Sequence, residues 1–162
     1  LNLDKLIGKY GFETSYIKEE LMNYNLKKDF YTSFYLASKY VDFSLLVNEN
    51  VRTEILKLSD IYFAESEAFL MVEEASNKNT LLQRVELTKL KQDLIKNRSR
   101  KVLRRLKKIE ESQIEKVNQP LVTFLYYTAY RLLNDKEKFQ PLESSISLLN
   151  LKQTQLIVNI NR

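Results

Sequence analysis

The sequence has no cysteine and no histidine among its 162 residues. Their absence excludes disulfide bonds, zinc or iron sites built on Cys and His ligands, and the Ser-His and Cys-His pairs of common nucleophilic enzymes. A lack of cysteine is typical of proteins in a reducing compartment, so we expect an intracellular, cytoplasmic location. No run of about 18 apolar residues and no export signal is visible, which predicts a protein without a membrane span.

Glycine and proline are also scarce, with only Gly8, Gly11, Pro120 and Pro141 in the chain. A many-stranded sheet needs more turn residues than these, and a glycine-rich phosphate loop needs several glycines close together. The hydrophobic fraction of 44% is ample for a core. We therefore predict an all-α fold, a bundle of about five helices in a domain covering residues 1–141.

Three helices are predicted before residue 80. A short one passes through Ile17, Leu21 and Met22 near the amino terminus. The second begins at an Asp29 cap and continues through Leu46 with apolar residues at three- and four-residue steps. The third follows an Asn48 or Asn50 cap, and its apolar stripe extends from Val51 to Val72.

The segment Thr80–Lys116 contains no glycine or proline and consists mainly of strong helix formers. It predicts one long central helix of about 50 Å, at about 1.5 Å per residue. A further helix begins near Pro120, ends near Asn134 and should pack antiparallel to the long helix. In residues 142–162 the alternation of apolar residues predicts a short β-strand or hairpin.

The segment Lys96–Lys108, KNRSRKVLRRLKK, is strongly basic. Its eight cations are accompanied by no acidic residue, and without them the balance of 26 basic and 21 acidic residues would become 18 to 21. On a helical wheel the apolar residues of this stretch span about 20° to 140° and the central cations about 180° to 300°. These central cations are Arg100, Lys101, Arg104, Lys107 and Lys108.

At the borders of this basic stripe lie Arg98 and Arg105, whose guanidinium groups can reach a carboxylate on a neighbouring helix or cover apolar surface. Like charges at i and i+4, such as Arg100 with Arg104, each cost a few tenths of a kcal/mol in an isolated helix. An acidic partner opposite the stripe would offset that repulsion. Nucleic-acid phosphate and an acidic protein surface both fit, whereas a merely solvated helix face is the simpler interpretation.

Two groups of aromatic residues lie at helical spacing. We expect Phe34 and Phe124 in the core, because aromatic residues at this spacing most often fill one. Tyrosines that bury a ring and keep the hydroxyl hydrated are common at subunit contacts. The predicted subunit-interface residues are Tyr31, Tyr35, Tyr127 and Tyr130. No aromatic residue is interleaved with the cations of the basic stripe, so the usual single-strand stacking surface is not predicted there.

The acidic pairs, such as Glu73 with Glu74, are adjacent in sequence and do not share a helix face, so they indicate neither a metal site nor a catalytic pair. Glu86 and Glu110 lie near Lys89 and Lys107 and could form surface ion pairs with them. We predict no catalytic residue, no metal and no cofactor.

The order of elements resembles the helical domain of GINS subunits. Asp29 with Phe30 and Tyr31 opens an early helix, KNRSRKVLRRLKKIEE fits that family's R-x-R-K-like long helix, and PLVTFLYYTAYRLL fits its returning helix. The resemblance covers residues 29–134 and implies a helical domain first and a small β module last, as in the archaeal subunit class. That β module is longer than the segment after Pro141, so here it would be truncated or absent.

The resemblance implies a non-catalytic scaffold of DNA replication in a hetero-oligomer with related subunits, joining the replicative helicase to partner proteins at the nucleoid. The residues themselves leave a second hypothesis open. It is a basic helical module that binds nucleic acid directly, such as an accessory, non-catalytic primase subunit. The two hypotheses predict different companions for the same basic stripe.

Overall fold

The computed structural model describes residues 29–72 and 76–162. The chain divides into two compact units, Leu1–Lys78 and Asn79–Arg162. The described ranges contain seven α-helices, two short 3-10 helices and no β-strand. This confirms the all-α prediction, whereas the predicted number of about five helices is too low. The α-helices are α1 Phe30–Ser44, α2 Glu49–Val72, α3 Lys78–Ile95, α4 Ser99–Glu111, α5 Gln119–Leu132, α6 Lys136–Phe139 and α7 Leu148–Ile160. The helix predicted around Ile17 lies outside the described residues.

In the first unit, α1 begins where the sequence predicts. The carboxylate of Asp29 accepts hydrogen bonds from the backbone N–H of Thr32 at 2.6 Å and from its hydroxyl at 2.8 Å. These bonds satisfy one of the amide donors that a helix start leaves without an intrahelical partner. Asp29 therefore serves as the cap, as predicted.

The turn between α1 and α2 is held by polar side chains. Asn48 caps α2 by accepting from the backbone N–H of Val51 at 3.1 Å, so of the two asparagines predicted as caps it is Asn48 that acts. Arg52 donates to the carbonyl oxygens of Ser44 at 2.9 Å and Val47 at 2.7 Å. A cation at the carbonyl end of α1 also interacts favourably with the helix dipole.

The core of the α1–α2 hairpin combines large rings with small polar residues. Phe34 of α1, which is half-buried and so only at the edge of the core where the sequence predicts it, forms an edge-on pair with the buried Phe63 of α2, with ring centroids 6.3 Å apart. The buried hydroxyls of Ser44, Ser59 and Ser66 each donate to a carbonyl three residues earlier in the chain, at 2.6 to 2.7 Å. Burying a hydroxyl costs little when it keeps a hydrogen bond, so these small residues can occupy the helix interface.

In the second unit, the predicted single helix over residues 80–116 is wrong, because the chain turns at residues 96–98. Asn97 adopts a left-handed conformation with φ 62°. The N–H of Arg98 bonds to the carbonyl of Asp93 at 2.8 Å, and that of Asn97 to the carbonyl of Leu94 at 3.1 Å. This pair of bonds is the Schellman motif that ends helices, and asparagine is the residue that most often replaces glycine at its left-handed position.

After the turn the chain runs back along α3, and α5 then returns in the direction of α3. The side chain of Asn118, just before α5, donates to the carbonyl of Thr80 at 3.2 Å and to Gln83 at 3.0 Å, near the start of α3. Further along both helices, the ammonium of Lys91 lies 5.8 Å from the ring centre of Phe124. Helix α5 is thus antiparallel to α4 but parallel to α3, so the predicted antiparallel packing holds only for the basic part of the predicted long helix.

The predicted C-terminal strand or hairpin is also wrong, because residues 148–160 form α7. Ser147 caps this helix by accepting from the N–H of Asn150 at 3.3 Å. The residues it buries, Thr154, Ile157 and Val158, follow three- and four-residue spacing, which is the helical period. Over so short a stretch, the apolar alternation along residues 156–160 is compatible with both the helical and the strand period. Residue 141, which the sequence predicts as the end of the helical domain, lies within the second unit.

Helix α7 is attached to α3 and α5 by polar contacts. The buried hydroxyls of Thr128 on α5 and Thr154 on α7 lie 3.2 Å apart, and Thr128 also donates to the carbonyl of Phe124 at 2.7 Å. The side chain of Asn161 donates to the carbonyl of Leu94 at 2.9 Å, at the end of α3. These contacts make α7 part of the second unit's core.

Replacing Asn97 by alanine should destabilise the second unit by about 1 kcal/mol, because the left-handed conformation costs a side-chain-bearing residue about 1–2 kcal/mol. Asn97→Gly should be at least as stable as the native chain. Asn134, with φ 58°, ends α5 in the same way and supplies an independent pair of variants. Urea denaturation measures the differences, and equal stability of the alanine and glycine variants at both positions would contradict this account.

Candidate functional site

Helix α4 is the most strongly amphipathic feature of the described chain. Val102, Leu106 and Ile109 are buried and Leu103 is half-buried, which matches the apolar arc predicted from the helical wheel. All five cations predicted for the basic stripe, together with Arg98 and Arg105, are exposed. The burial of one side of α4 against the unit therefore orients the basic side toward solvent.

Asp93 holds the cations at the start of α4. Its side chain is only 16% exposed, and its carboxylate lies 3.7 Å from Arg98 and 3.4 Å from Lys101. Arg98 precedes the first residue of α4 and makes no side-chain cap. A negative charge near a helix start is favourable because unpaired N–H groups give that end a partial positive charge. Asp93 thus links the end of α3 to the start of α4.

A second ion pair joins the two helices further along. Arg105 of α4 contacts the carboxylate of Glu86 of α3. Both border cations therefore reach carboxylates on the neighbouring helix, one of the two arrangements predicted for them. Glu86 can pair with Arg105 because the turn at Asn97 places α4 beside α3. Partly exposed pairs of this kind contribute about 0–1 kcal/mol each.

The remaining cations form what we call the cationic face: Arg100, Arg104, Lys107 and Lys108. Among residues 29–72 and 76–162 these four side chains have no ion pair and no side-chain hydrogen bond. Lys101, predicted as part of the same group, lies at its edge and contacts Asp93. The repulsion between like charges one turn apart is therefore not offset by a described carboxylate.

On its other side, the cationic face is bordered by two tyrosines of α5. The hydroxyl of Tyr126 lies near the carboxylate of Glu110, and the rings of Tyr126 and Tyr130 are stacked with centroids 6.0 Å apart and planes 18° apart. Burial, and then the nearby carboxylate of Glu110, raise the pKa of Tyr126 well above its usual value. The phenol of Tyr126 therefore stays protonated, and Glu110 lies beside it.

The four tyrosines predicted as subunit contacts differ in where they lie. Tyr31 and Tyr35 on α1 are 66% and 48% exposed, and Tyr130 is half-buried. Tyr127 is only 1% exposed, so its prediction as a partner-facing residue is wrong. Its ring packs edge-on against Phe139 and its hydroxyl accepts from Arg131 at 3.2 Å, which places it inside the second unit.

Comparison of the chain with protein-family models, curated proteins and solved structures finds no match. Within the described ranges, no group of three or more carboxylates is arranged to hold a metal ion. None of the helices described combines the length and apolar character that crossing a bilayer requires.

Asp93→Asn should lower the stability of the second unit by up to about 1 kcal/mol at low salt, because it removes the carboxylate shared by two cations. The deficit should shrink as salt is raised, since partly exposed charges are screened. Asp60→Asn, on the exposed side of α2, is the matched control. Urea denaturation at low and high ionic strength measures both variants, and a deficit that salt leaves unchanged would rule out the electrostatic explanation.

Proposed function

We propose that the chain is a non-catalytic module that binds nucleic acid through the cationic face. The observation that supports this most is the exposure of four cations on one side of α4 without a described acidic partner. From Arg100 to Lys108 they extend over about 12 Å of helix, at about 1.5 Å per residue. A phosphate backbone would supply several negative charges along such a length.

The alternative of an ordinary solvated face explains the surface less well. Helices that use charge for solubility usually mix both signs, and α4 carries acidic residues only at its end, Glu110 and Glu111. Glu110 lies next to Tyr126 of α5. Binding a polyanion would replace the repulsion between neighbouring cations by favourable contacts and release counterions from the nucleic acid.

Replacing Arg100, Arg104 and Lys108 together by glutamine should weaken binding to all nucleic-acid sequences about equally. The dependence of log affinity on log salt should fall by about 0.7–0.9 for each lost contact. Fluorescence anisotropy with labelled DNA, between about 50 and 200 mM salt, measures both quantities.

The matched control replaces Lys136, Lys138 and Lys152 by glutamine. These three lysines are exposed in the same unit but lie on α6 and α7. The control removes the same net charge, so it should retain the native salt slope and most of the affinity. If the two triple variants behave alike, total charge and not the cationic face determines binding, and the proposal fails.

A structural subunit of a DNA-replication assembly, the role implied by the GINS resemblance, is our second candidate. It is favoured by exposed apolar side chains on α1. Tyr31 and Tyr35, which are 66% and 48% exposed, lie about 40° apart on a helical wheel. Exposed apolar residues aligned on one face are typical of sites that other proteins cover. A related subunit would be the partner.

For this second candidate, the chain purified alone should self-associate, because the α1 surface lacks its natural partner. Tyr31→Lys with Tyr35→Lys should shift it toward monomer, as introduced charges oppose burial of that surface. Light scattering measures the mass. The control, Leu148→Lys with Leu149→Lys, changes two exposed apolar residues of α7 and should not have this effect. A native chain that is a stable monomer at high concentration would argue strongly against a subunit role.

A further inference from the structure

The stacked pair formed by Tyr126 and Tyr130 lies next to the cationic face, although the two are far apart in sequence. Glu110, whose carboxylate lies near the hydroxyl of Tyr126, follows Lys107 by three residues on α4. Residues three apart on a helix are surface neighbours, with about 5–6 Å between their Cβ atoms. Tyr126 is therefore placed at the edge of the cationic face.

Tyr130 extends this aromatic edge along the cations. Helices α4 and α5 are antiparallel and packed together, so a step of one turn forward on α5 corresponds to one turn backward on α4. With Tyr126 opposite Glu110, Tyr130 falls opposite the middle of α4, where Lys107 and Leu103 lie. Both rings are half-buried, which fixes them in position and leaves part of each in contact with solvent.

The polar groups of the two tyrosines are not equivalent. The hydroxyl of Tyr126 lies beside the carboxylate of Glu110, whereas that of Tyr130 has no hydrogen bond to any described residue. The nearly parallel planes of the two rings mean that a third planar group stacking on Tyr130 would continue an existing stack. Tyr130 is therefore the ring better suited to an additional contact.

We propose that the cationic face and the Tyr126–Tyr130 pair together form a site for single-stranded nucleic acid. In this site, phosphates lie against Arg104 and Lys107 while an unpaired base stacks on Tyr130. The inference rests on the proposed function and adds the form of the nucleic acid. Duplex bases are already stacked and paired, so only a single strand can offer a free base to the ring at the same time as its backbone meets the cations.

The experiment compares a single strand of about 12 nucleotides with the duplex of the same sequence, by fluorescence anisotropy at constant salt. The native chain should prefer the single strand. Tyr130→Ala should weaken single-strand binding about tenfold, the size of effect that loss of one base–aromatic stack produces, and leave duplex binding unchanged. Tyr130→Phe keeps the ring and should bind both forms as the native chain does.

The urea midpoint of each variant shows whether it is as stably folded as the native chain. If Tyr130→Ala is destabilised, Tyr130→Leu takes its place in the comparison, because leucine retains bulk but has no π-face. If neither variant changes single-strand binding, or if duplex binding falls equally, the stacking site is overturned while nucleic-acid binding by the cationic face is unaffected. If the Arg100, Arg104 and Lys108 variant binds both forms as tightly as the native chain, the proposed function itself fails. Binding to polyglutamate in place of either nucleic acid would assign the face to an acidic protein and overturn both.

Discussion

The left-handed turn at Asn97 is the constraint on which the arrangement of the second unit depends. It ends α3 and sends the chain back, so that the basic residues form a separate helix beside α3 instead of its continuation. A single continuous helix over residues 80–116 would have carried Arg105 away from Glu86, and its cations would have had no carboxylates on either flank. The two ion pairs that orient α4, and the packing of α4 against α5, exist because of this reversal.

The neighbours of α4 divide its cations into two groups. On one flank, α3 supplies Asp93 and Glu86, which neutralise the cations that point toward it. On the other flank, α5 supplies no carboxylate, and its Tyr126 lies next to Glu110 of α4. Anchored charges at the edges fix the orientation of the helix, whereas the charges between them remain exposed. Such a division suits a surface that has to present cations without losing the stability of the helix that carries them.

The parts of the fold that follow from local rules could be predicted from the sequence. The caps at Asp29 and Asn48, the helix after Pro120 and the apolar arc of α4 all depend on neighbours within a turn or two. The break at Asn97 was missed because no glycine or proline marks it, although asparagine is known at this position of a helix end. The contact between Tyr126 and Glu110 joins two helices, and periodicity within one helix contains no information about it. Tyr127 was misplaced for the same reason, since its burial depends on Phe139 and Arg131.

In the hydrogen bond between the two buried threonine hydroxyls of α5 and α7, the donor and the acceptor can be assigned. A hydroxyl has one proton, and that of Thr128 goes to the carbonyl of Phe124, so Thr154 must be the donor to Thr128. Apolar side chains alone would accept several rotations of α7 about its long axis at similar free energy. A directional bond in this dry contact is satisfied at only one of them, so the pair selects a single orientation of the last helix.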